Sequence, residues 1–349
     1  MTVDKQLDKH EAKIQARYKK VIKNLDNTWR LLDDTRVPKL QQILSWLGHP
    51  DQKLKIIHIS GTNGKSSTGT MTGAVLKANN YSYGHFSSPF ILTDREQIRI
   101  NGVMITRADF LNYYDKVTAC LAKYDKKTNY LSYFEYFTII SLLYFVDQQV
   151  DFVIFEAGLG GLRDATNAIE SPMLTVFTKI SMDHQNILGR NVTEIAENKS
   201  ALIKPGTWVI DYAGQNLTAS KVLKARTSAV GARWFEHEKD SIIIVSTTPK
   251  GLDLIINGTP GYFLSMPGAF QVHNFSIVLQ IMDALTEKGY TFDQEKTREG
   301  LAKVKMLGRM NYHEDTNILF DAAHNVDGIE GLVAALNAWH LKIKPTLVL

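Results

Sequence analysis

The fold of this chain is decided by residues 56–68, which spell IIHISGTNGKSST. The apolar run 54–59 predicts a buried strand, and apolar side chains at helical spacing predict a helix over 67–78. A glycine-rich turn between a strand and a helix is typical of phosphate-binding loops, because backbone N–H groups and the helix N-terminus favour an anion. Lys65 adds a full positive charge, so we expect this turn to bind phosphate.

The loop is a short variant of the common phosphate-binding loop. The common form has a glycine five residues before the glycine of its Gly-Lys pair, and here Ile59 stands at that position. A turn that merely joins a strand to a helix is the alternative, but Lys65 beside two serines has no structural need to be there. The candidate phosphate ligands are Gly61, Thr62, Asn63, Gly64, Lys65, Ser66 and Ser67.

Composition indicates a globular protein of the cytoplasm. The chain has 349 residues, 44% of them hydrophobic, which suffices for two or three domains with a full core. Its single cysteine, Cys120, allows no disulfide within the chain and favours a reducing compartment. Residues 1–24 are charged and lack the apolar core of a signal peptide, and the longest apolar run, 137–146, is too short to cross a membrane. We therefore expect no membrane partner.

The charge balance makes nucleic acid a weak candidate partner. The net charge is +4, and lysine and arginine are spread along the chain rather than gathered in a basic stripe with aromatic residues. A small polyanionic molecule bound at a locally basic site remains compatible with this charge.

The order of the predicted elements indicates an α/β fold with a mainly parallel sheet. Strands and helices alternate through about residue 210, which is typical of parallel strands joined by crossover helices. Residues 208–265 change character and predict three antiparallel strands that flank the main sheet. The predicted helices cover 5–25, 38–47, 132–147, 193–203, 271–288 and 293–304; the predicted strands cover 83–86, 151–155, 174–180, 242–245, 252–256 and 262–264; and 90–105 holds a hairpin with an Asn101-Gly102 turn.

A further α/β unit is expected to begin near residue 304. It contains a hairpin, a strand at 318–320, a helix at 326–339 and another strand from Thr346. About fifty residues are too few to close a sheet of their own, so we expect the chain to stop within this domain. The predicted division is a first domain of residues 1–296 and the start of a second domain over 297–349.

Two predicted strands end in groups that suit a metal site. Ligands of a parallel α/β sheet lie at the carboxyl ends of its strands, and here one strand runs into Glu156 and another into Asp183 and His184. Magnesium takes oxygen ligands, so Glu156 suits it, whereas imidazole suits softer metals and makes His184 less usual. Both residues could instead serve structure, Glu156 as a helix cap and His184 as a hydrogen-bond partner within a loop.

Lys199 has an unusual position for a lysine. It lies four residues after Ile195 and three before Leu202, on the inward face of the predicted helix. A buried ammonium is costly and usually pairs or becomes neutral, and a neutral amine can take up carbon dioxide to give an anionic carbamate that binds metals. Spacing alone favours the alternative, a lysine whose stem packs while its head reaches water.

Several motifs, in the same order along the chain, resemble those of the Mur ligase superfamily and, within it, the folylpolyglutamate synthase and dihydrofolate synthase family. The most specific is EAGLGGLRDATN at 156–167, which favours the folate branch over the peptidoglycan ligases. The others are GTNGKSS at 61–67, SSPF at 87–90, Phe134-Glu135, Asp183-His184, ENK at 197–199, PGAFQVHN at 267–274, Gly308-Arg309 and DAAHN at 321–325.

The resemblance implies an ATP-dependent ligase. A substrate carboxylate would attack the γ-phosphate of ATP to give an acyl phosphate, from which the amine of L-glutamate would displace phosphate. It implies a reduced folate as acceptor, as in a folylpolyglutamate synthase; dihydropteroate as acceptor, in a dihydrofolate synthase or a bifunctional enzyme, stays open. It also implies a monomer built from a P-loop sheet, a small antiparallel sheet and a Rossmann-like C-terminal α/β domain.

The resemblance also assigns roles by matched position. The magnesium ligands would be Ser67, Ser88, Glu156, His184 and a carbamylated Lys199. The catalytic residues would be Lys65, His184, Lys199 and Arg309. Besides the loop, ATP would meet Asn274 at its adenine, Arg309 at its phosphates, and Asp321 and His324 between the domains. The folate would lie against Ser88, Pro89, Tyr133, Phe134, Asp164 and Asn167.

The sequence departs from the family pattern at several positions. Ser66 stands where the family usually has glycine, so either serine of the loop could serve the metal. Leu162 precedes Arg163 where the family has the opposite order, which leaves the role of Arg163 open. Phe270 replaces a histidine of the family's Gly-x-His-Gln motif.

Two other classes of protein stay open at this point. A different phosphate-loop enzyme, such as a kinase or a nucleotide hydrolase, would normally show the longer loop and a strand-end aspartate for magnesium. A non-catalytic relative that binds folate or nucleotide would lack magnesium-dependent ADP release. A ligase of this arrangement should close its two domains around ATP, and we expect the hinge near residues 296–306.

Overall fold

The computed structural model describes residues 2–26, 33–124, 131–237, 240–340 and 345–348. The helices are α1 (Thr2–Asp26), α2 (Arg36–Trp46), α3 (Lys65–Ala78), α4 (Arg107–Tyr124), α5 (Tyr133–Asp147), α6 (Gln185–Leu188), α7 (Val192–Ser200), α8 (Leu217–Ala229), α9 (Gln271–Glu287), α10 (Gln294–Lys303) and α11 (Val326–Ala338). The strands are β1 (Ile56–Ser60), β2 (Tyr83–Phe86), β3 (Ile98–Ile100), β4 (Val103–Met104), β5 (Phe152–Glu156), β6 (Leu174–Phe177), β7 (Trp208–Asp211), β8 (Arg233–Trp234), β9 (Ile242–Thr248), β10 (Gly251–Ile256), β11 (Thr259–Leu264), β12 (Asn311–His313) and β13 (Ile318–Phe320).

The chain divides into two compact units, and strand β1 contributes to both. The first unit consists of Met1–His58 and Ser82–Met173, and the second of Ile59–Tyr81 and Leu174–Leu349. Each unit combines helices with parallel strands, which confirms the predicted α/β class.

In the first unit the strand order is β4-β3-β2-β5-β1. β2 pairs in parallel with β5, so that His85 lies opposite Ile154, and it pairs antiparallel with β3. The core behind these strands is aromatic, and Phe86 stacks on Phe155 with ring centroids 4.6 Å apart. This packing fixes the carboxyl ends of β2 and β5, where candidate site residues lie.

Helix α5 begins at a buried capping box, as the Ser132-x-x-Glu135 spacing predicts. Glu135 N donates to Ser132 Oγ at 3.3 Å, and Ser132 N donates to Glu135 Oε2 at 2.7 Å. Arg36 binds both oxygens of the same carboxylate, with Nε–Oε1 at 2.8 Å and Nη2–Oε2 at 2.6 Å. Both side chains are buried, so this ion pair ties α2 to the start of α5.

In the second unit the parallel strands β6, β7 and β8 follow the end of β1. A separate antiparallel sheet has the order β11-β10-β9. Its buried side chains share a core with α3 and α9 that includes Met71, Leu252 and Phe275. Strands β12 and β13 form an antiparallel hairpin before α11. The three antiparallel strands expected in 242–264 are thus confirmed.

Two predictions about the main strands need correction. β6 ends at Phe177 rather than at Ile180, because the carbonyl of Lys179 turns to accept a hydrogen bond from the loop residue Thr62. The change of character predicted at residue 208 comes later, since Trp208–Asp211 forms β7, parallel to β6. A short, nearly all-buried run does not reveal its strand direction from sequence alone.

Other differences concern whole elements rather than their ends. The strand predicted from Thr346 is absent over residues 346–348, and Leu349 lies outside the described residues; a short apolar run becomes a strand only beside a partner strand. Sequence reasoning missed α4, although Phe110, Val117 and Leu121 follow helical spacing and are buried. No helix within the described ranges is both long and apolar enough to cross a membrane.

Candidate functional site

The glycine-rich loop joins β1 to α3, as the sequence predicts. Helix α3 begins at Lys65, with Gly64 at its N-cap. Thr62 N donates to the carbonyl of Lys179 at 2.8 Å, and Thr62 Oγ1 donates to the carbonyl of Ser181 at 3.0 Å. These bonds fix the loop to the segment that follows β6. The first-turn N–H groups of α3 are candidate donors to a phosphate.

Two positions of the loop require glycine, because neighbouring side chains lie too close to leave space for a Cβ atom. At Gly61 φ is +146°, and an added Cβ would lie 1.9 Å from Thr178 Oγ1. At Gly64 φ is +93°, and an added Cβ would lie 2.1 Å from Asn274 Oδ1. The loop therefore packs directly against Asn274, which the resemblance implies as an adenine ligand.

Two lysines converge on one carbonyl of the loop. Lys65 Nζ donates to the oxygen of Gly61 at 3.0 Å and to that of Thr62 at 3.3 Å. Lys199 Nζ donates to the oxygen of Gly61 at 2.9 Å. Lys199 is only 3% exposed, so its amine does not reach water, and the alternative of a solvent-reaching head is wrong.

Asn274 is held by another residue of α9. Its Nδ2 donates to Gln271 Oε1 at 2.9 Å. Gln271 is buried, and its Nε2 finds no hydrogen-bond partner within the described residues. A buried donor thus lies next to the side chain predicted to bind adenine, and sequence reasoning missed it.

Ser67 and His184, two of the predicted metal ligands, differ in their exposure. Ser67 is buried in the first turn of α3, with Oγ 4.0 Å from Met306 Sδ. The His184 side chain is 50% exposed, and its backbone N–H donates to Asp183 Oδ1 at 2.8 Å. His184 therefore has room to receive a ligand from solvent.

Arg309, Asp321 and His324 lie in or near the β12–β13 hairpin. Asp321 uses both oxygens on backbone N–H groups, Oδ2 on Met310 and Oδ1 on Ala323, each at 2.8 Å. Arg309 Nη1 donates to the carbonyl of Gly308 at 3.1 Å, and His324 is exposed. Asp321 thus orders its own loop here; the roles of the three residues at the nucleotide stay predictions.

In the first unit, Glu156 ends β5 and meets a histidine. Glu156 is fully buried, and His85 Nε2 lies 2.6 Å from its Oε1. His85 comes from the neighbouring strand β2 and is itself buried. Sequence reasoning missed His85, although a histidine inside a predicted buried strand requires a polar partner. The pair holds the Glu156 carboxylate in one orientation.

Ser88 presents a buried hydroxyl beyond the end of β2. It is 7% exposed, and its Oγ has no hydrogen-bond partner within the described part of the chain. A buried hydroxyl without a partner is costly unless a ligand or ion satisfies it. Ser88 and Glu156 thus supply two oxygen donors of the kind that magnesium prefers. Among the described residues no cluster of three or more His, Cys, Asp and Glu side chains is arranged to hold a metal.

The loop that follows β5 is ordered by two predicted folate ligands. Asp164 Oδ2 accepts from the N–H of Leu159 at 2.6 Å, and Asp164 Oδ1 accepts from that of Thr166 at 3.0 Å. Asn167 Nδ2 donates to the carbonyl of Leu162 at 3.0 Å. These contacts shape the loop; whether the two side chains also bind substrate stays a prediction.

Arg163 points to the surface. Its Nε lies 2.7 Å from Asp34 Oδ1, and both side chains are exposed. The Arg163 guanidinium therefore has a solvent-facing partner, Asp34.

Tyr133 and Phe134 line the start of α5. The Tyr133 hydroxyl accepts from Gln97 Nε2 at 2.7 Å, and its ring stacks on Phe137 at 4.4 Å. Burial raises the pKa of Tyr133 well above its usual value, so it stays a neutral phenol. Phe134 packs so close to Gly158 that an added Cβ there would lie 2.5 Å from its ring.

Sequence reasoning also missed a charged pair at the phosphate loop. Lys179, which follows β6, pairs with Asp327 in the first turn of α11. Asp327 in turn accepts a hydrogen bond from Asn63 of the loop. Sequence separations of more than a hundred residues gave no local signal for these contacts.

Comparison with known proteins gives a consistent result. Residues 59–282 match the family model of the Mur ligase middle domain. The dihydrofolate synthase/folylpolyglutamate synthase of Bacillus subtilis is 32% identical over 309 residues, which cover 85% of this chain and 71% of that protein. The folylpolyglutamate synthase of Lacticaseibacillus casei shows the same identity and coverage.

Solved structures agree in fold. The apo form of the L. casei enzyme has a TM-score of 0.84 at 29% identity, over 92% of this chain and 80% of that one. A complex of a folylpolyglutamate synthase with AMPPCP and folate has a TM-score of 0.83 at 30% identity, with the same coverage.

Proposed function

We propose, because the chain belongs to the folylpolyglutamate synthase and dihydrofolate synthase family of Mur ligases, that it is an ATP-dependent ligase joining L-glutamate to the γ-carboxylate of a reduced folate. The observation that carries this proposal is the meeting of Lys65 and Lys199 on the Gly61 carbonyl. A phosphate loop needs one lysine; a second one, buried beside it, is the feature that a simple nucleotide hydrolase does not require.

ATP would bind along the loop and α9. The backbone N–H groups of residues 61–67 and the Lys65 ammonium suit the phosphates. Asn274, held against Gly64, suits the adenine, and Arg309 is the proposed second cation for the phosphates. Phosphoryl transfer depends on such positioning and charge stabilisation more than on a base.

Magnesium is the proposed metal, with Ser67, Ser88, Glu156, His184 and a carbamylated Lys199 as its ligands. The buried hydroxyl of Ser88 and the buried carboxylate of Glu156 support this assignment. When bound, the ion would neutralise the charge that develops on the transferred phosphoryl group.

The cost of burying a lysine supports the proposed carbamate at Lys199. Lys199 is 3% exposed, and desolvation disfavours the charged form of a buried amine. The neutral amine can then add to carbon dioxide, releasing one proton and forming an anionic carbamate. That group would supply two oxygens beside the phosphate loop.

The reaction would proceed in two steps. The substrate carboxylate attacks the γ-phosphorus and the bond from that phosphorus to the β,γ-bridging oxygen breaks. ADP departs, and an acyl phosphate forms on the substrate. The amine of L-glutamate then attacks the acyl carbon, and phosphate departs as the amide forms. The folate is proposed to lie against Ser88, Pro89, Tyr133, Phe134, Asp164 and Asn167.

Dihydropteroate is the second candidate acceptor. Relatives that match most of this chain carry both activities in their names, as in B. subtilis, or dihydrofolate synthetase alone, as in Saccharomyces cerevisiae, at 30% identity. A bifunctional enzyme is therefore the alternative proposal.

The acyl phosphate can be tested by isotope transfer. A folate whose γ-carboxylate carries oxygen-18 should pass one labelled oxygen to the released phosphate for each glutamate added. Release of unlabelled phosphate alongside glutamylated product would contradict the mechanism, because the carboxylate would then never have been phosphorylated.

The proposal also includes the domain division, the oligomeric state and the compartment. Residues 1–296 form the ATP-binding domain, and residues 297–349 belong to a glutamate-ligase domain, with a hinge near 296–306. The protein acts as a monomer. The cytoplasm is its proposed compartment, in keeping with a single cysteine, Cys120.

A further inference from the structure

The carboxylate of Asp327 is bound by donors that belong to the phosphate loop and its surroundings. Asn63 Nδ2 donates to Asp327 Oδ2 at 2.7 Å, and the Lys179 ammonium pairs with Oδ1. Both oxygens of this carboxylate are thus occupied, one by an amide of the glycine-rich loop and one by a lysine next to it. The Asp327 carboxylate is therefore an anion that already lies at the loop.

A second contact joins the same two segments. Asn63 and Asn325 exchange amide hydrogen bonds, with Asn63 Nδ2 to Asn325 Oδ1 at 3.2 Å and Asn325 Nδ2 to Asn63 Oδ1 at 3.1 Å. Asn325 also caps α11, accepting from the N–H of Gly328 at 2.9 Å. The start of α11 is thereby fastened to the loop through Asn63.

The backbone of Lys179 is held rigidly in this position. Its carbonyl accepts from Thr62 N at 2.8 Å. On either side, the N–H of Ile180 donates to Gln215 Oε1 at 2.9 Å, and Gln215 Nε2 donates to the carbonyl of Thr178 at 3.1 Å. The side chain of Lys179, unlike its backbone, can therefore change partners.

The Asp327 carboxylate stays ionised in this partly exposed pair. Burial by itself would raise the pKa of Asp327, but hydrogen bonds from Lys179 and Asn63 and the charge of Lys179 bring that pKa below its usual value. The Lys179 side chain is 48% exposed and that of Asp327 28%. Ion pairs this exposed contribute little to stability.

We propose that Lys179 is a ligand of the nucleotide phosphates, and that Asp327 is the counter-ion that occupies Lys179 and Asn63 while no nucleotide is bound. Phosphate oxygens and the Asp327 carboxylate are both negatively charged, and both would bind the same two donors, Lys179 and Asn63. Nucleotide binding exchanges one for the other and releases the start of α11 from the loop. The inference rests on the proposed ATP-dependent function.

A fixed structural pair would behave differently. Removing either partner of such a pair would loosen the same contact, so both changes would weaken nucleotide binding or leave it unaltered. Competition instead gives opposite signs, because one partner assists the nucleotide and the other opposes it.

The test is calorimetric titration of the protein with a non-hydrolysable ATP analogue and magnesium. Asp327→Asn should bind the analogue about threefold to tenfold more tightly than the wild type, since the competing charge is gone. Lys179→Gln should bind it about tenfold more weakly, since a charge-assisted hydrogen bond is lost. Lys179→Arg, which keeps the charge, should restore most of the affinity.

A matched control lies in the same unit. Lys250 and Glu314 form an ion pair at 3.0 Å with both side chains exposed, and Glu314→Gln should leave analogue binding unchanged. Asp327→Asn that binds no tighter than the wild type, or Lys179→Gln that binds equally well, would overturn the inference. A wild-type protein that binds no analogue would instead overturn the proposed function, and the inference with it.

Discussion

The buried amine of Lys199 lies 2.9 Å from the carbonyl oxygen of Gly61, the residue at which the chain leaves β1 and enters the phosphate loop. Lys65 Nζ donates to the same oxygen from the opposite end of the loop, at 3.0 Å. One carbonyl thus brings together the lysine expected to bind phosphate and the lysine expected to become a carbamate. The two amines can be separated by experiment.

Lys199→Ala should reduce turnover by on the order of a hundredfold, because the change removes charge stabilisation at the phosphoryl group. If the working form is a carbamate, added short carboxylates such as acetate should restore part of the rate by filling the space. Steady-state ADP release, with and without carboxylate, measures both effects. Near-normal activity of Lys199→Ala would contradict the proposed carbamate at Lys199.

Lys65→Ala serves as the control for that rescue. It removes the amine at the other end of the same contact, so ATP use should be lost, and no carboxylate should restore it. Unaffected ATP turnover in this variant would remove the argument for a phosphate loop.

Gly64→Ala should abolish nucleotide binding with little loss of folding. The added Cβ would lie 2.1 Å from Asn274 Oδ1 at a φ of +93°, so the loop and Asn274 must move apart. Gly206→Ala is the matched control, because it has a φ of +76° but nothing within 4 Å of the added Cβ. It should cost only about 1 kcal/mol of stability. Equal affinity for nucleotide in both variants would contradict the packing described.

Arg36→Ala should destabilise the first unit by about 3–5 kcal/mol, because the buried Glu135 carboxylate loses its partner. Arg17→Ala breaks an ion pair with Asp115 whose two side chains are about half exposed, and it should cost less than about 1 kcal/mol. Urea unfolding of both variants, followed by circular dichroism, compares the two costs. Similar midpoints would mean that the Arg36 pair contributes no more than a surface contact.

Asp211→Asn should become stabilising as the pH rises. Burial raises the pKa of Asp211 to about 6 against a reference of 3.8, although Gln215 donates to its carboxylate. A raised folded-state pKa contributes stability that is present below the reference pKa and lost as the pH climbs to about 6. The amide stays neutral throughout, so its advantage over the wild type should grow by about 1–3 kcal/mol between pH 4 and pH 7.

Thermal unfolding of both proteins across that pH range gives the comparison. A difference between them that does not change with pH would show that the Asp211 carboxyl titrates normally in the folded protein.

Sequence predicted most where the signal is local. The capping box at Ser132 marks the start of α5, and the glycine-lysine turn marks the loop, because each depends on residues within one or two turns of the chain. Neither β7 nor its direction could be predicted, since a short, nearly all-buried strand has no polar face to orient it. The helical spacing of apolar residues predicts that Lys199 faces inward, and the Lys199 side chain is buried in the structure.

The pairings within each unit could not be predicted, because they join residues that are distant in the sequence. His85 and Glu156 lie 71 residues apart in sequence, and Asn63 and Asp327 lie 264 apart. No local pattern encodes such a distance; only strand order and loop closure bring these side chains together. The family resemblance supplied roles for Glu156 and Arg309 but gave no sign of Lys179 or Asp327.

The most direct test of the central claim is the mass of the product. The protein is incubated with ATP, magnesium and L-glutamate, with tetrahydrofolate in one tube and dihydropteroate in another, and each mixture is analysed by mass spectrometry. We expect tetrahydrofolate to gain one or more glutamyl residues, with one ADP released per residue; a gain on dihydropteroate would add the second activity. Absence of any glutamyl product in both tubes, from folded protein that binds ATP, would contradict the assignment as a folate ligase.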